Sequence, residues 1–169
     1  MPSIRSSLIF GCSLIGAGAI AFMGAAAASA DSGLNFTPGN NGLLNAGTGN
    51  TGIGNNLLSP GGGNTGVLNG GIGNTGIANN LLGPGILNSG VANGLLGGSF
   101  NQGIANQGNV NGGIANIGTG QVGVANIGAG QVGVANIGGP NAGLLNIGSF
   151  NLGAVNVGNG HSGILRLGF

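Results

Sequence analysis

Residues 115–169 read ANIGT GQVGV ANIGA GQVGV ANIGG PNAGL LNIGS FNLGA VNVGN GHSGI LRLGF, and the fourth residue of every group of five is glycine. Carried back to Phe100, the same frame gives fourteen units, with Gly103, Gly108, Gly113, Gly118 and their successors to Gly168 in one register. A polar column, nearly always Asn, stands two residues ahead of each glycine. Helix is excluded, because a glycine in every five residues costs about 1 kcal/mol each against alanine and no stripe of 3.6-residue period repays it. Strands of ordinary length are excluded by the same spacing. What fits is a very short extended piece and a turn, repeated every five residues, with glycine at the turn position that needs positive φ.

Four such sides make a square coil of twenty residues, each coil stacking on the last at about 4.8 Å. In steps of twenty, Ile117, Ile137 and Val157 align, as do Ile127, Ile147 and Leu167, and Val132 with Leu152. These are expected to point inward. A second inward set comprises Ala115, Ala135 and Val155, and Ala125, Leu145 and Leu165. The column of Val122, Ala142 and Ser162 is weaker, and Gln102, Gln107 and Gly112 fill the first coil poorly. With no Trp or Tyr and 6 Phe, the core has to come from Ile, Val, Leu and Ala.

Upstream the order loosens. Residues 40–100 form an irregular region with a 24-residue super-repeat: NAGTGNTGIGNN at Asn45–Asn56 returns as NGGIGNTGIANN at Asn69–Asn80, and a degenerate copy starts at Asn88. Both full copies run into Leu-Leu-x-Pro-Gly, at Leu57–Gly61 and Leu81–Gly85, where the five-residue spacing of Asn slips to nine. Those segments are expected to be loops or bulges that restore register. Residues 31–39 are a lead-in and 101–169 the regular solenoid. The 44 Gly and 5 Pro would suggest disorder in an aperiodic chain, but the period and a hydrophobic content of 41% favour a folded one.

Residues 1–30 read as a signal peptide: Arg5, an apolar run from Leu8 to Met23, and Ala28-Ser29-Ala30 before Asp31. A retained anchor or a lipidated Cys12 are the alternatives. Cleavage after Ala30 would remove the only cysteine and leave Asp31, His161 and Arg166 as the ionisable side chains. A surface so poor in charge favours self-association or attachment to another surface. It also excludes nucleic acid as a partner, since no Lys/Arg footprint displaces counterions.

No residue here implies a reaction, and no catalytic, cofactor or metal site is expected. Dinucleotide-like windows at Gly47–Gly52, Gly71–Gly76, Gly118–Gly123 and Gly128–Gly133 are by-products of the repeat, with no acidic residue about twenty positions on to hold a ribose. His161 and Arg166 occupy the Asn column as solvated ladder positions. The Asn column itself is read as structural, its amides bonding the turn backbone and one another up the stack. Thr48, Thr51, Thr65, Thr75 and Thr119 form no regular array in the sequence.

The units ANIGT and ANIGA resemble the pentapeptide-repeat family. Asn45–Gly52 and Asn69–Gly76 further resemble the Asn-x-Gly-x-Gly-Asn-x-Gly pattern of the major polymorphic tandem repeats of mycobacterial PPE proteins, with a signal segment where the PPE N-terminal domain would be. The resemblance implies an all-β, right-handed quadrilateral β-helix and, for the mycobacterial kind, a secreted or cell-surface location. The expected function is a non-enzymatic structural or interaction protein of the envelope, whose partner the sequence does not name. The alternatives are a membrane-active protein of an outer lipid layer and an intracellular inhibitor of a nucleic-acid enzyme. The inhibitor role in this family uses an acidic surface, which this chain lacks.

Overall fold

The computed structural model describes residues 33–168. The expected signal segment lies outside the described residues, as does Phe169. Every strand pairing is parallel, and the described residues form one continuous β-solenoid of about 13 turns with no α-helix.

The turn is ten residues long, not twenty. Val122–Val124 pairs with Val132–Val134 above and Gly112–Ile114 below, and Ile127–Ala129 pairs with Ile137–Gly138 and Ile117–Thr119. From Gln102 onward each turn therefore holds two short strands joined by two corners; upstream the second side is reduced to the single bridges of Thr48, Gly62, Ile72 and Ile86. The coil is two-sided rather than quadrilateral. The two apolar columns expected from the twenty-residue step are one column, since Ile127 and Ile147 lie in register between Ile117, Ile137 and Val157. A five-residue period suits any multiple of five, and what decides between them is the filling of the interior. Glycine at every strand centre leaves a square cross-section empty, whereas two amide side chains per turn fill a flat one.

The side chains also face the opposite way from the expected one. Among the described residues no apolar side chain is buried; the buried side chains are Asn, Gln121, Gln131 and Ser59. Ile117, expected inside, is 51% exposed, and Ala115, Ala125 and Leu145 of the second expected inward set also face solvent. Neighbours in a strand point to opposite faces, so in Val122-Gly123-Val124 the glycine takes the inner face and both valines the outer one.

The ladder glycines, expected at turns, stand in the strands instead. Gly123 sits at a strand centre with φ +134°, a backbone conformation closed to side-chain-bearing residues. The turn falls on the residue before each Asn: Ala115, Ala125 and Ala135 hold φ of 57°, 56° and 54°, in the left-handed region. Alanine in that region costs roughly 1–2 kcal/mol, a strain carried at corner after corner.

The Leu-Leu-x-Pro-Gly segments lie where the turn lengthens. Thr51 pairs with Thr65 and Thr75 with Ser89, steps of fourteen, and Ser89 pairs with Gln102, a step of thirteen. The 24-residue super-repeat is one ten-residue turn plus one of fourteen, and the strands stay in register because the additional residues are spent outside them.

Candidate interaction surface

The interior is built first, because it fixes what is left outside. Asn116 donates from its backbone N–H and from Nδ2 to Oδ1 of Asn106, at 3.1 and 3.0 Å, and the same Nδ2 reaches the carbonyls of Gly112 and Gly123 at 3.1 and 3.0 Å. The arrangement recurs one turn up, where Asn126 stands on Asn116 and donates to Gly133. Positive φ at the strand-centre glycine places its carbonyl within reach of the amide, so the Gly and Asn columns are two halves of one device. The series of backbone N–H groups donating to the Oδ1 of the Asn one turn below runs unbroken from Asn45 to Asn156 and ends on the backbone N–H of Arg166. The structural reading of the Asn column holds, with the difference that its side chains are buried core and not turn decoration.

The second column, through Asn101, Asn111, Gln121, Gln131, Asn141 and Asn151, is imperfect. Gln121 Nε2 still reaches the carbonyls of Ile117 and Gly128, at 2.9 and 2.7 Å. Its additional methylene leaves Oε1 buried without a partner, and Gln131 Oε1 shares that state. An unsatisfied buried acceptor costs about 1–3 kcal/mol. Gln131→Asn is therefore expected to raise stability by about 1–2 kcal/mol, read as a higher urea midpoint at unchanged m-value; an unchanged midpoint would show that the longer amide costs nothing. Asn80 Oδ1 is also unpartnered, although its counterpart in the preceding super-repeat, Asn56, accepts from Asn64 Nδ2 at 2.9 Å.

With amides inside, the aliphatic side chains are arrayed outside in straight columns. The third residue of one strand series is Leu43, Ile53, Val67, Ile77 and Val91, in register turn upon turn. It continues without a polar interruption through Ile104, Ile114, Val124, Val134 and Leu144. Around the adjacent corner, past Ala115, Ala125 and Ala135, lies the column of Ile117, Ile127, Ile137 and Ile147 on the other face. From Ile114 to Ile137 one narrow edge of the solenoid thus carries two aliphatic ridges with Ala115, Ala125 and Ala135 between them, and the exposed Leu145 takes the same corner position one turn on. The opposite edge is mixed: it carries one apolar column through Val122, Val132 and Leu152 and exposed corner residues Val110 and Phe150, but Thr119, Ser149 and Asn159 break the column facing it, and Gly120, Gly130 and Pro140 make its other corners.

The positions singled out from sequence fall as follows. Thr51, Thr65 and Thr75, which form no array in sequence, are brought into one column by the fourteen-residue turn, flanked by Asn41 and Ser89. His161 and Arg166 cap the two columns, donating their backbone N–H groups to Asn151 Oδ1 and Asn156 Oδ1. Arg166 is exposed, but His161 is half-buried and its Nε2 is enclosed rather than solvated. Both border a hollow of about 340 Å³ with Ile164 and Leu167. Gly118 and Gly123, from one dinucleotide-like window, are centres of successive strands. Among the described residues no group of His, Cys, Asp or Glu could hold a metal ion.

Residues 125–164 match the family model for pentapeptide repeats, in eight copies. No curated protein and no solved structure matches the chain.

Proposed function

We propose that this chain is an exported, non-enzymatic repeat protein of the mycobacterial type, acting as a structural or interaction scaffold at the cell envelope or surface. The observation that carries this reading is the inversion of the core. Amides take the interior, aliphatic columns take the exterior, and among the described residues Arg166 is the one permanently charged side chain. A rod of this kind has little charge repulsion to keep it apart from other surfaces and a large apolar area to gain by contact. Among the described residues it offers no nucleophile paired with a base and no carboxylate pair, which favours binding over turnover.

Cell fractionation with N-terminal sequencing tests the reading. The expected result is a mature protein beginning at Asp31 in the envelope or culture fluid; a chain still beginning at Met1 and confined to the cytoplasm would overturn it. The exposed aliphatic columns also favour a second reading, contact with lipid. Strands of two to eight residues do not supply the tilted strands of about ten residues that line a membrane barrel, so contact would be along the surface of a lipid layer, and conductance across liposomes is not expected.

A further inference from the structure

We infer that the apolar edge, formed by the ridge of Ile114, Val124 and Val134, the ridge of Ile117, Ile127 and Ile137, and the alanines between them, is a self-association surface whose occupant is a second copy of this chain. The inference rests on reading the rod as an interaction scaffold but is independent of export.

The aliphatic side chains along this edge are about half exposed, Ile117 at 51% and Ile114 at 46%. The six ridge side chains and the alanines leave roughly 600 Å² of apolar surface, at the top of the range for a solvated monomer, and the continuation of the edge through Ile104, Leu144, Leu145 and Ile147, each about half exposed, brings it to about the 800 Å² per partner of a stable interface. Shape then narrows the occupant. The ridges repeat once per turn at strand spacing, about 4.8 Å, and Ala115 and Ala125 leave a furrow between them. A partner that meshes along the whole edge needs ridges at the same repeat, and a second copy has them by construction. A two-fold pairing lays one ridge of each chain into the furrow of the other, the self-complementary contact that closes a dimer, with side chains interdigitating as between stacked sheets. Charge does not oppose it, since no ionisable residue lies between Gly33 and Gly160. The opposite edge has one such ridge, Val122, Val132 and Leu152, but Thr119, Ser149 and Asn159 interrupt the column facing it, so it offers no ridge pair to mesh.

The test is sedimentation velocity of the purified full chain across a concentration series, with circular dichroism to confirm that each variant keeps the solenoid spectrum. Ile127→Lys places a charge on the ridge where the side chain already faces solvent, so the fold is expected to survive. Wild type is expected to sediment as a dimer, and Ile127→Lys to weaken the dissociation constant at least about 100-fold by burying unpaired charge in the contact. Thr119→Lys, on the opposite edge, is expected to leave the dimer intact. A monomeric wild type, a dimer indifferent to Ile127→Lys, or one lost with Thr119→Lys would each overturn the inference. So would a monomer that floats with phosphatidylcholine vesicles and loses flotation with Ile127→Lys, which would assign the edge to lipid. Failure here with mature protein still found in the envelope would leave the scaffold reading standing.

Discussion

Gly123→Ala is expected to unfold the middle of the solenoid, at a cost above about 4 kcal/mol, while Gly120→Ala, three residues earlier in the same turn, costs about 1 kcal/mol. A Cβ on Gly123 would lie 1.8 Å from the carbonyl oxygen of Gly133 and 2.8 Å from its carbon. Those atoms are backbone. They cannot swing aside without surrendering the bond from Asn126 Nδ2 to the Gly133 carbonyl, at 2.9 Å, and with it the link between two turns. The backbone at φ +134° adds strain that no choice of rotamer relieves. Gly120 sits at a corner with φ +68°, the nearest atom to an added Cβ is 4.0 Å away, and Ala115 and Ala125 already hold corners of that kind. Thermal unfolding of the two variants, followed by circular dichroism, separates them. Equal losses would return the five-residue glycine ladder to the turns, where the period by itself places it.

How much of this was legible in the sequence is seen in that pair. The ladder at Gly103 to Gly168 establishes short extended pieces and a stacked all-β rod. It does not choose between ten and twenty residues per turn, because the alignment of Ile117 with Ile137 is satisfied by both. A signal for ten was present in GQVGVANIG, which occurs at 120–128 and again at 130–138. The direction of the side chains was obscured by the general rule that aliphatic residues go inside. Against it stood a local constraint: the two residues flanking a strand-centre glycine share one face, so if glycine is inner, Ile117 and Thr119 are both outer. Choosing that face required knowing that an Asn at each corner would satisfy the carbonyls turned inward, and hydrogen bonds of that kind carry no hydropathy signature. The unpartnered oxygens of Gln121 and Gln131 could not be read from spacing, since Gln and Asn look alike in a polar column and differ by one methylene only when packed.

Asn126→Asp isolates the other half of the device. The substitution keeps shape and volume and replaces an NH₂ donor with an oxygen. In the wild-type ladder Asn126 Nδ2 donates to Asn116 Oδ1 and to the Gly133 carbonyl, at 3.0 and 2.9 Å, while Oδ1 accepts the backbone N–H and Nδ2 of Asn136 at 3.1 and 3.0 Å. The aspartate keeps both accepted bonds, but its second oxygen faces two acceptors and has no proton to give. The ionised form therefore loses two buried bonds and sets a charge against two carbonyl dipoles, an expected loss of about 3–5 kcal/mol at neutral pH. Protonation restores one donor, so the folded-state pKa of the new carboxyl is raised above its unfolded value, about 3.9. A raised folded pKa means that the recovered stability is fully present below the unfolded pKa and is lost as pH rises through the folded one. The urea midpoint of Asn126→Asp is thus expected to approach that of wild type near pH 3 and to fall progressively toward pH 7. From Asn45 to Asn156 the wild-type column has no ionisable side chain to produce such a slope. A variant as stable as wild type at pH 7 would mean that the amide column is not what joins one turn to the next, and the Ile and Val ridges, buried against a second chain, would then have to supply that cohesion instead.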